Sequence, residues 1–267
     1  MKKRIPLVGT LVIVLSVFVT IGGGIALAQT AEPPAPAGKV EELSVQPSQP
    51  EAQPEQAAPV VKPGEPLNTA NKLRLQLEGF FGYGFDSNKV GTTTEGNDVK
   101  ISAGGGFGYG ATIGYGLSRS VDIDGTLGFQ VSGLYPYVKN ADGYFARSLL
   151  LATVKYKIPF RENLQWKVGV GAGYYMGGKM DIEIDPGVPG AGHYIYDYQN
   201  ATGIHATGEL EIALQRNLML AVGLKYYMVE YKVEKATQNG VPVTVPSEFR
   251  TLTGDGVDIT VGIAVLF

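Results

Sequence analysis

The stretch Val257–Phe267, Val-Asp-Ile-Thr-Val-Gly-Ile-Ala-Val-Leu-Phe, places a large apolar residue at every odd-numbered position. The even positions include Asp258, Thr260 and Gly262. A period of two residues predicts a β-strand whose faces meet different surroundings. In a soluble sheet the apolar face would need a core to cover it, whereas in a membrane barrel it would face lipid. The rest of the chain decides between these two environments.

Seven earlier segments repeat the same alternation, so that eight such segments can be counted from Leu73 onward. Each has about 10 to 13 residues, which is enough for a tilted strand to cross a bilayer. Short connections alternate with long ones that are polar or rich in glycine, as in outer-membrane barrels with periplasmic turns and extracellular loops. The short connections are 117–120, 159–164 and 215–217, and the long ones are 86–100, 134–146, 177–201 and 231–255. The sequence therefore predicts an all-β fold, an eight-stranded antiparallel transmembrane up-and-down β-barrel, over residues 72–267.

The N-terminal residues indicate export. Lys2, Lys3 and Arg4 precede a mostly apolar run that closes on Ala26-Leu27-Ala28, the layout of a secretory signal peptide over residues 1–28. A retained membrane anchor is the alternative. Residues 29–71 are rich in Pro, Glu and Gln, and this composition predicts a disordered periplasmic linker. The linker acts as a spacer or, alternatively, contacts the cell wall.

Composition excludes several classes of protein. The chain contains no cysteine, so neither a disulfide framework nor a lipid anchor is expected. Its formal net charge is −3, and no basic tract could follow a phosphate backbone, which argues against a nucleic-acid partner. After Ala28 no apolar stretch reaches 18 residues, so membrane residence requires a closed barrel.

The inward faces of the eight segments carry charges of both signs. Eight strands enclose a space that side chains can just fill, and buried charges persist only when they are paired. We therefore expect a plugged, polar interior with ion pairs in the periplasmic half, with Asp122 opposite Lys157, Asp124 opposite Lys155, and Lys167 opposite Glu211. The six basic residues are Arg74, Arg147, Lys155, Lys157, Lys167 and Lys225, and the six acidic ones are Glu78, Asp122, Asp124, Glu209, Glu211 and Asp258.

Glycines and aromatic residues add two further expectations. The inward glycines of 104–114 and 169–173 either admit bulky neighbours or outline a narrow channel. Aromatic residues should form two girdles at the membrane surfaces. Tyr115, Tyr156, Trp166 and Phe267 belong to the periplasmic rim, and Tyr83, Phe85, Tyr174 and Tyr226 to the outer rim.

Few residues of the sequence suggest catalytic or metal-binding chemistry. His193 and His205 have no serine or cysteine placed to make a nucleophile pair, so no catalytic, metal or cofactor site is expected. Asp181, Glu183 and Asp185 form an acidic run that could bridge to lipopolysaccharide through divalent cations or simply be solvated. Residues 193–198 and 241–246 could prolong strands above the membrane and expose tyrosines for recognition.

Together the signal peptide, the eight alternating segments, the glycine-rich inward faces and Phe267 resemble the small eight-stranded outer-membrane barrels, the OmpA/OmpX-like group with OmpW-like proteins as neighbours. The resemblance covers about residues 72–267. It implies location in the cell outer membrane, contact with outer-membrane lipid and lipopolysaccharide, and recognition of Phe267 by the barrel-assembly machinery. A structural or surface-interaction role is the first expectation. A narrow solute channel, OmpW-like delivery of apolar molecules, and a lipid-modifying enzyme are the alternatives.

Overall fold

The computed structural model describes residues 68–93 and 96–267. The predicted signal peptide and nearly all of the predicted linker lie outside these residues and stay predictions. None of the helices in the described part is long and apolar enough to cross a membrane. The described strands are β1 (Leu73–Gly84), β2 (Asn88–Thr92), β3 (Asp98–Ile101), β4 (Gly105–Gly116), β5 (Val121–Gly133), β6 (Ala141–Arg161), β7 (Leu164–Ile184), β8 (Gly192–Tyr198), β9 (Ala201–Ala213), β10 (Leu218–Gln238), β11 (Val241–Pro242), β12 (Thr251–Thr253) and β13 (Gly256–Leu266).

Eight of these strands form a closed ring. Each pairs antiparallel with the strand on either side, in the order β1, β4, β5, β6, β7, β9, β10 and β13. Pairing of β13 with β1, from Arg74 opposite Leu266 to Gly84 opposite Gly256, closes the ring. Ring closure leaves no unpaired sheet edge, which is the condition for a β-sheet to cross a bilayer. The predicted eight-stranded antiparallel barrel is confirmed.

The two-residue period separates an apolar wall from a polar interior. On β1, Leu73, Leu77 and Phe81 are exposed on the outer surface, whereas Arg74 and Glu78 are buried inside the ring. The same division repeats on β5, where Ile123 and Leu127 face out and Asp122 and Asp124 face in. A water-soluble barrel would have the opposite arrangement. The outer wall is therefore suited to contact hydrocarbon.

Aromatic rings lie at both ends of this wall. On β7, Trp166 lies beside the short turn and Tyr174 lies eight residues further along, with Val168, Val170 and Ala172 between them on the same face. The predicted girdle residues are all exposed on the outer surface; they are Tyr115, Tyr156, Trp166 and Phe267 at the turn end and Tyr83, Phe85, Tyr174 and Tyr226 at the other. An apolar band between two aromatic rims matches the bilayer profile.

Three strands are much longer than the predicted 10 to 13 residues. β6, β7 and β10 each have 21 residues, so parts of the predicted loops 134–146, 177–201 and 231–255 are strand instead. β8 lies between the far ends of β7 and β10 and pairs with both. The predicted prolongation at 193–198 is thus present, whereas of residues 241–246 only Val241–Pro242 form a strand. We call residues 85–93, 96–104, 134–146, 177–200 and 230–255 the head.

The head shares a hydrophobic core with the outer half of the ring. The rings of Phe145 and Tyr231 lie 5.3 Å apart between centroids, and those of Tyr196 and Phe249 lie 5.1 Å apart. The expectation that the tyrosines of 193–198 are exposed for recognition was wrong for Tyr196 and Tyr198, which are buried. The reason is that Phe249 packs on Tyr196, whereas Phe145 and Tyr231 pack on Tyr198. The core residues of the head include Ile101, Phe145, Met180, Ile182, Tyr196, Tyr198, Tyr231, Phe249 and Leu252.

Candidate functional site: the barrel lumen

The lumen has two layers, and the layer beside the short turns is a network of charges. It draws on the ends of β1, β5, β6, β7 and β9 that meet at this end of the ring. We call it the turn-end network. All its members are buried; they are Arg74, Asp122, Asp124, Lys155, Lys157, Lys167, Glu209 and Glu211.

One half of the turn-end network is centred on Asp122. Lys157 Nζ lies 2.6 Å from Asp122 Oδ1, and Lys167 Nζ lies 2.7 Å from Asp122 Oδ2. Lys167 Nζ also lies 2.7 Å from Glu211 Oε1. Gln165 donates to the second oxygen of Glu211 at 2.5 Å. Each carboxylate thus accepts from more than one donor, which is what a buried charge requires.

The other half is centred on Arg74 and Lys155. Lys155 Nζ bridges Asp124 at 2.9 Å and Glu209 at 3.0 Å. Arg74 lies 2.6 Å from Asp124 and 3.6 Å from Glu209, and it also pairs with Glu211. Four cations and four carboxylates therefore alternate in one connected set.

The strand register differs from the sequence-based expectation by two residues. Across β5 and β6, Asp122 lies opposite Lys155 and Asp124 opposite Thr153. Across β7 and β9, Lys167 lies opposite Glu209. The predicted register was wrong, yet the predicted partners touch, because a lysine side chain is long enough to reach a diagonal neighbour. Lys157 contacts Asp122, and Lys155 contacts Asp124, along such diagonals.

A short segment before β1 closes the turn end. Thr69 is buried, and its hydroxyl accepts a hydrogen bond from Lys157 Nζ at 2.7 Å. Asn71 N donates to Gly116 O at 2.7 Å, which fixes the segment against β4. Thr69 falls within the predicted linker 29–71, because nothing in its local composition indicates that it folds into the barrel.

The outer layer of the lumen is largely aromatic and surrounds Arg147. Tyr175, Tyr227 and Tyr231 place their rings 4.9 to 6.0 Å from its guanidinium carbon. Leu149, Leu151 and Phe80 are buried in the same cluster, which is continuous with the core of the head. Lys225 Nζ lies 3.5 Å from Glu78, between the two layers. The aromatic layer was missed from the sequence, because its members come from strands that meet only when the ring closes.

Inward glycines make room for these side chains. A Cβ at Gly108 would overlap the ring of Phe80, and a Cβ at Gly171 would overlap the ring of His205. The outward Gly125, in contrast, has no atom within 4 Å of its Cβ position. The glycine column therefore accommodates bulky lumen side chains.

A pair of glycine substitutions tests this packing. Gly108→Ala is expected to destabilise the barrel by about 1–3 kcal/mol, because Phe80 and the neighbouring backbone must shift. Gly125→Ala, its control on the lipid-facing wall, should change the free energy of unfolding by less than about 0.5 kcal/mol. Urea titration of both refolded variants measures the difference. Equal unfolding midpoints would show that the column faces empty space.

Among the described residues, neither histidine is hydrogen-bonded to a serine or a cysteine. His205 Nε2 lies 2.8 Å from Thr153 Oγ1 inside the lumen, and His193 Nε2 lies 2.7 Å from Asp181 Oδ1 in the head. Burial raises the pKa of Tyr144, and the nearby Asp181 carboxylate raises it further. Within residues 68–93 and 96–267, no group of three or more His, Cys, Asp or Glu side chains could hold a metal ion.

Phe267, the predicted assembly signal, is exposed, and its amide donates to Leu73 O at 2.9 Å. Its role in assembly stays a prediction.

No family model matches the chain, and no curated protein matches it in sequence. Several solved structures of small outer-membrane barrels are similar in fold. The outer membrane protein OprG of Pseudomonas aeruginosa is 13% identical, with 75% of this chain and 97% of that chain covered and a TM-score of 0.48. Neisserial surface protein A is 13% identical, with 73% and 96% covered and a TM-score of 0.42. The N-terminal barrel domain of OprF from Pseudomonas aeruginosa is 12% identical, with 74% and 98% covered and a TM-score of 0.39.

These similarities concern the fold, and the class of the protein follows from its own wall and lumen. A closed ring of eight antiparallel strands, an apolar outer surface and a charged interior define a transmembrane β-barrel of the outer-membrane type.

Proposed function

We propose that this chain is a non-enzymatic integral protein of the outer membrane, with a barrel closed to solutes and a structural or surface-interaction role performed by the head. The observation that supports closure best is the filled lumen. The turn-end network occupies one layer, and Arg147 with its three tyrosines occupies the other. The void beside Asp124, Arg74 and Thr69 measures about 10 Å³, which is room for one water molecule.

Conductance of the refolded barrel tests closure. Because both layers are packed with paired or hydrogen-bonded groups, we expect no single-channel steps in a planar bilayer under an applied voltage. Because the lumen is packed, the steps should be absent at any salt concentration that leaves the protein folded. Reproducible steps from the unmodified protein would contradict the proposal and favour the narrow solute channel.

Delivery of apolar molecules through the wall is the second candidate, and it needs an open lumen or a gap between strands. Pairing of β1 with β13 and with β4 runs without interruption over most of the ring height. This continuity favours the closed barrel over lateral delivery. Lateral delivery would be supported by uptake of an apolar probe into vesicles that contain the protein.

A lipid-modifying activity is the least favoured candidate. The imidazole of His205 bonds to Thr153, and that of His193 bonds to Asp181. Neither arrangement supplies a hydroxyl nucleophile activated by a histidine that a carboxylate orients. Mass analysis of lipopolysaccharide and phospholipid after incubation with the protein should show unchanged lipids, and a new lipid product would overturn this proposal.

The proposed partners follow from the location. They are outer-membrane lipid and lipopolysaccharide around the wall, the barrel-assembly machinery during insertion, and, as the alternative for the linker, the cell wall. Nucleic acid is not among them.

A further inference from the structure

Arg147 is a fully buried arginine at the boundary between the ring and the head. Its Nε and Nη2 donate to Gln130 Oε1 at 3.1 and 2.5 Å. Its Nη1 donates to Tyr231 Oη at 3.0 Å and to the carbonyl oxygen of Ala103 at 2.7 Å, with a longer contact of 3.4 Å to that of Gly254. Thus one side chain on β6 reaches two backbone segments that come from opposite ends of the barrel sequence.

The two segments lie outside the strand ladders. Residues 102–104 precede β4, and residues 254–255 lie between β12 and β13. The second segment packs closely against Arg147. A Cβ atom at Gly254 would lie 2.5 Å from the Tyr231 ring and 3.1 Å from Arg147 Nη1. Arginine offers five N–H donors in a planar fork, which lets this one side chain donate to Gln130, Tyr231 and the backbone carbonyls together.

The partners of Arg147 are neutral. None of the ion pairs among the described residues includes Arg147. Asp258 is linked to it through two intermediates, since it accepts from Gln130 Nε2 at 3.0 Å and from the Tyr227 hydroxyl at 3.2 Å. The cation is stabilised instead by tyrosine rings and by hydrogen bonds. Arg147 therefore holds the loops without belonging to the turn-end network, and the two layers can be disturbed separately.

We propose that Arg147 is a latch that holds residues 102–104 and 254–255 across the outer mouth of the ring, and that its release opens the outer half of the lumen while the turn-end network stays closed. This inference rests on the proposed closed barrel and adds a second, independent closure. The latch consists of charge-assisted hydrogen bonds from one side chain to neutral acceptors, in contrast to the connected ion pairs at the other end.

Thiol labelling tests the latch directly. The chain has no cysteine, so Ala103→Cys provides a single reporter at a small, buried position under the latch. In the refolded protein with Arg147 intact, a water-soluble maleimide should label this thiol slowly. Arg147→Met should raise the labelling rate by roughly 10- to 100-fold, because two charge-assisted loop contacts are lost. Arg147→Lys, which keeps the charge and loses the fork, should give an intermediate increase and serves if the Met variant fails to refold.

Lys157→Met is the matched control, since it removes a buried cation from the turn-end network instead. It should leave labelling of Cys at position 103 nearly unchanged. The inference is overturned if the control accelerates labelling as much as Arg147→Met does, or if neither Arg147 variant accelerates it. Conductance of the unmodified protein separates the two proposals, because channel steps there would refute the closed barrel whatever the labelling rates show.

Discussion

Val170→Arg is expected to destabilise the protein in lipid vesicles by about 2–4 kcal/mol, the cost of an arginine at the bilayer midplane. Val170 is 67% exposed and lies on β7 midway between Trp166 and Tyr174. In a water-soluble protein such an exposed valine would tolerate a charge with little effect. In the barrel proposed here its side chain contacts hydrocarbon, so the guanidinium must be pulled out of water. Urea unfolding of the refolded variant in vesicles measures the loss.

Val241→Arg is the control for this prediction. Val241 is 63% exposed and lies in β11 of the head, outside the apolar wall. Its replacement should change the free energy of unfolding by less than about 0.5 kcal/mol. If both arginine variants unfold at the same urea concentration as the parent, the wall does not face lipid.

The second large effect is expected for the double variant Lys155→Met, Lys157→Met. These lysines contact Asp122, Asp124 and Glu209, and their removal leaves carboxylates buried with fewer cations. Breaking one buried pair typically costs about 3–5 kcal/mol, so the double variant should lose at least that much stability. Heat or urea unfolding in detergent, followed by circular dichroism, provides the measurement.

Its matched control is the double variant Lys139→Met, Lys232→Met. Both lysines are exposed in the head, so the same change of formal charge is made without disturbing the lumen. Surface charges of this kind contribute little, and stability should stay within about 0.5 kcal/mol of the parent. Equal unfolding of the two double variants would show that the turn-end network does not hold the barrel together.

The sequence allowed the strands and their faces to be predicted because a period of two residues is a local signal. Leu73 and Arg74 differ so strongly in polarity that each strand reveals which side meets lipid. Register is not local, since it depends on the turn and on the partner strand, and the expected register of Asp122 was wrong by two residues. The ion pairs were nevertheless anticipated, because all the charges lie on one face and lysine tolerates a diagonal contact.

The head and the outer lumen layer could not be predicted in the same way. Alternating tyrosines show that Tyr196 and Tyr198 share a face of β8, but the pattern does not reveal that Phe249 contacts both of them. Arg147 was recognised as an inward cation, and its tyrosine partners were not, because Tyr175 and Tyr231 lie on two other strands. Such contacts form only when the ring closes, so the sequence pattern of a single strand does not indicate them.

A cysteine scan of residues 166–174 on β7 measures directly whether the outer wall faces hydrocarbon, and each reporter thiol is unique because the chain lacks native cysteines. Each single-cysteine variant is refolded in vesicles with a fluorophore attached, and quenching by a lipid-soluble and a water-soluble agent is compared. We expect strong lipid quenching at the even positions 168, 170 and 172, whereas variants labelled at the odd positions 167, 169 and 171 should fail to refold, because the filled lumen has no room for a fluorophore. Strong quenching of the even positions by the water-soluble agent, or no period of two residues, would contradict a barrel wall that faces hydrocarbon.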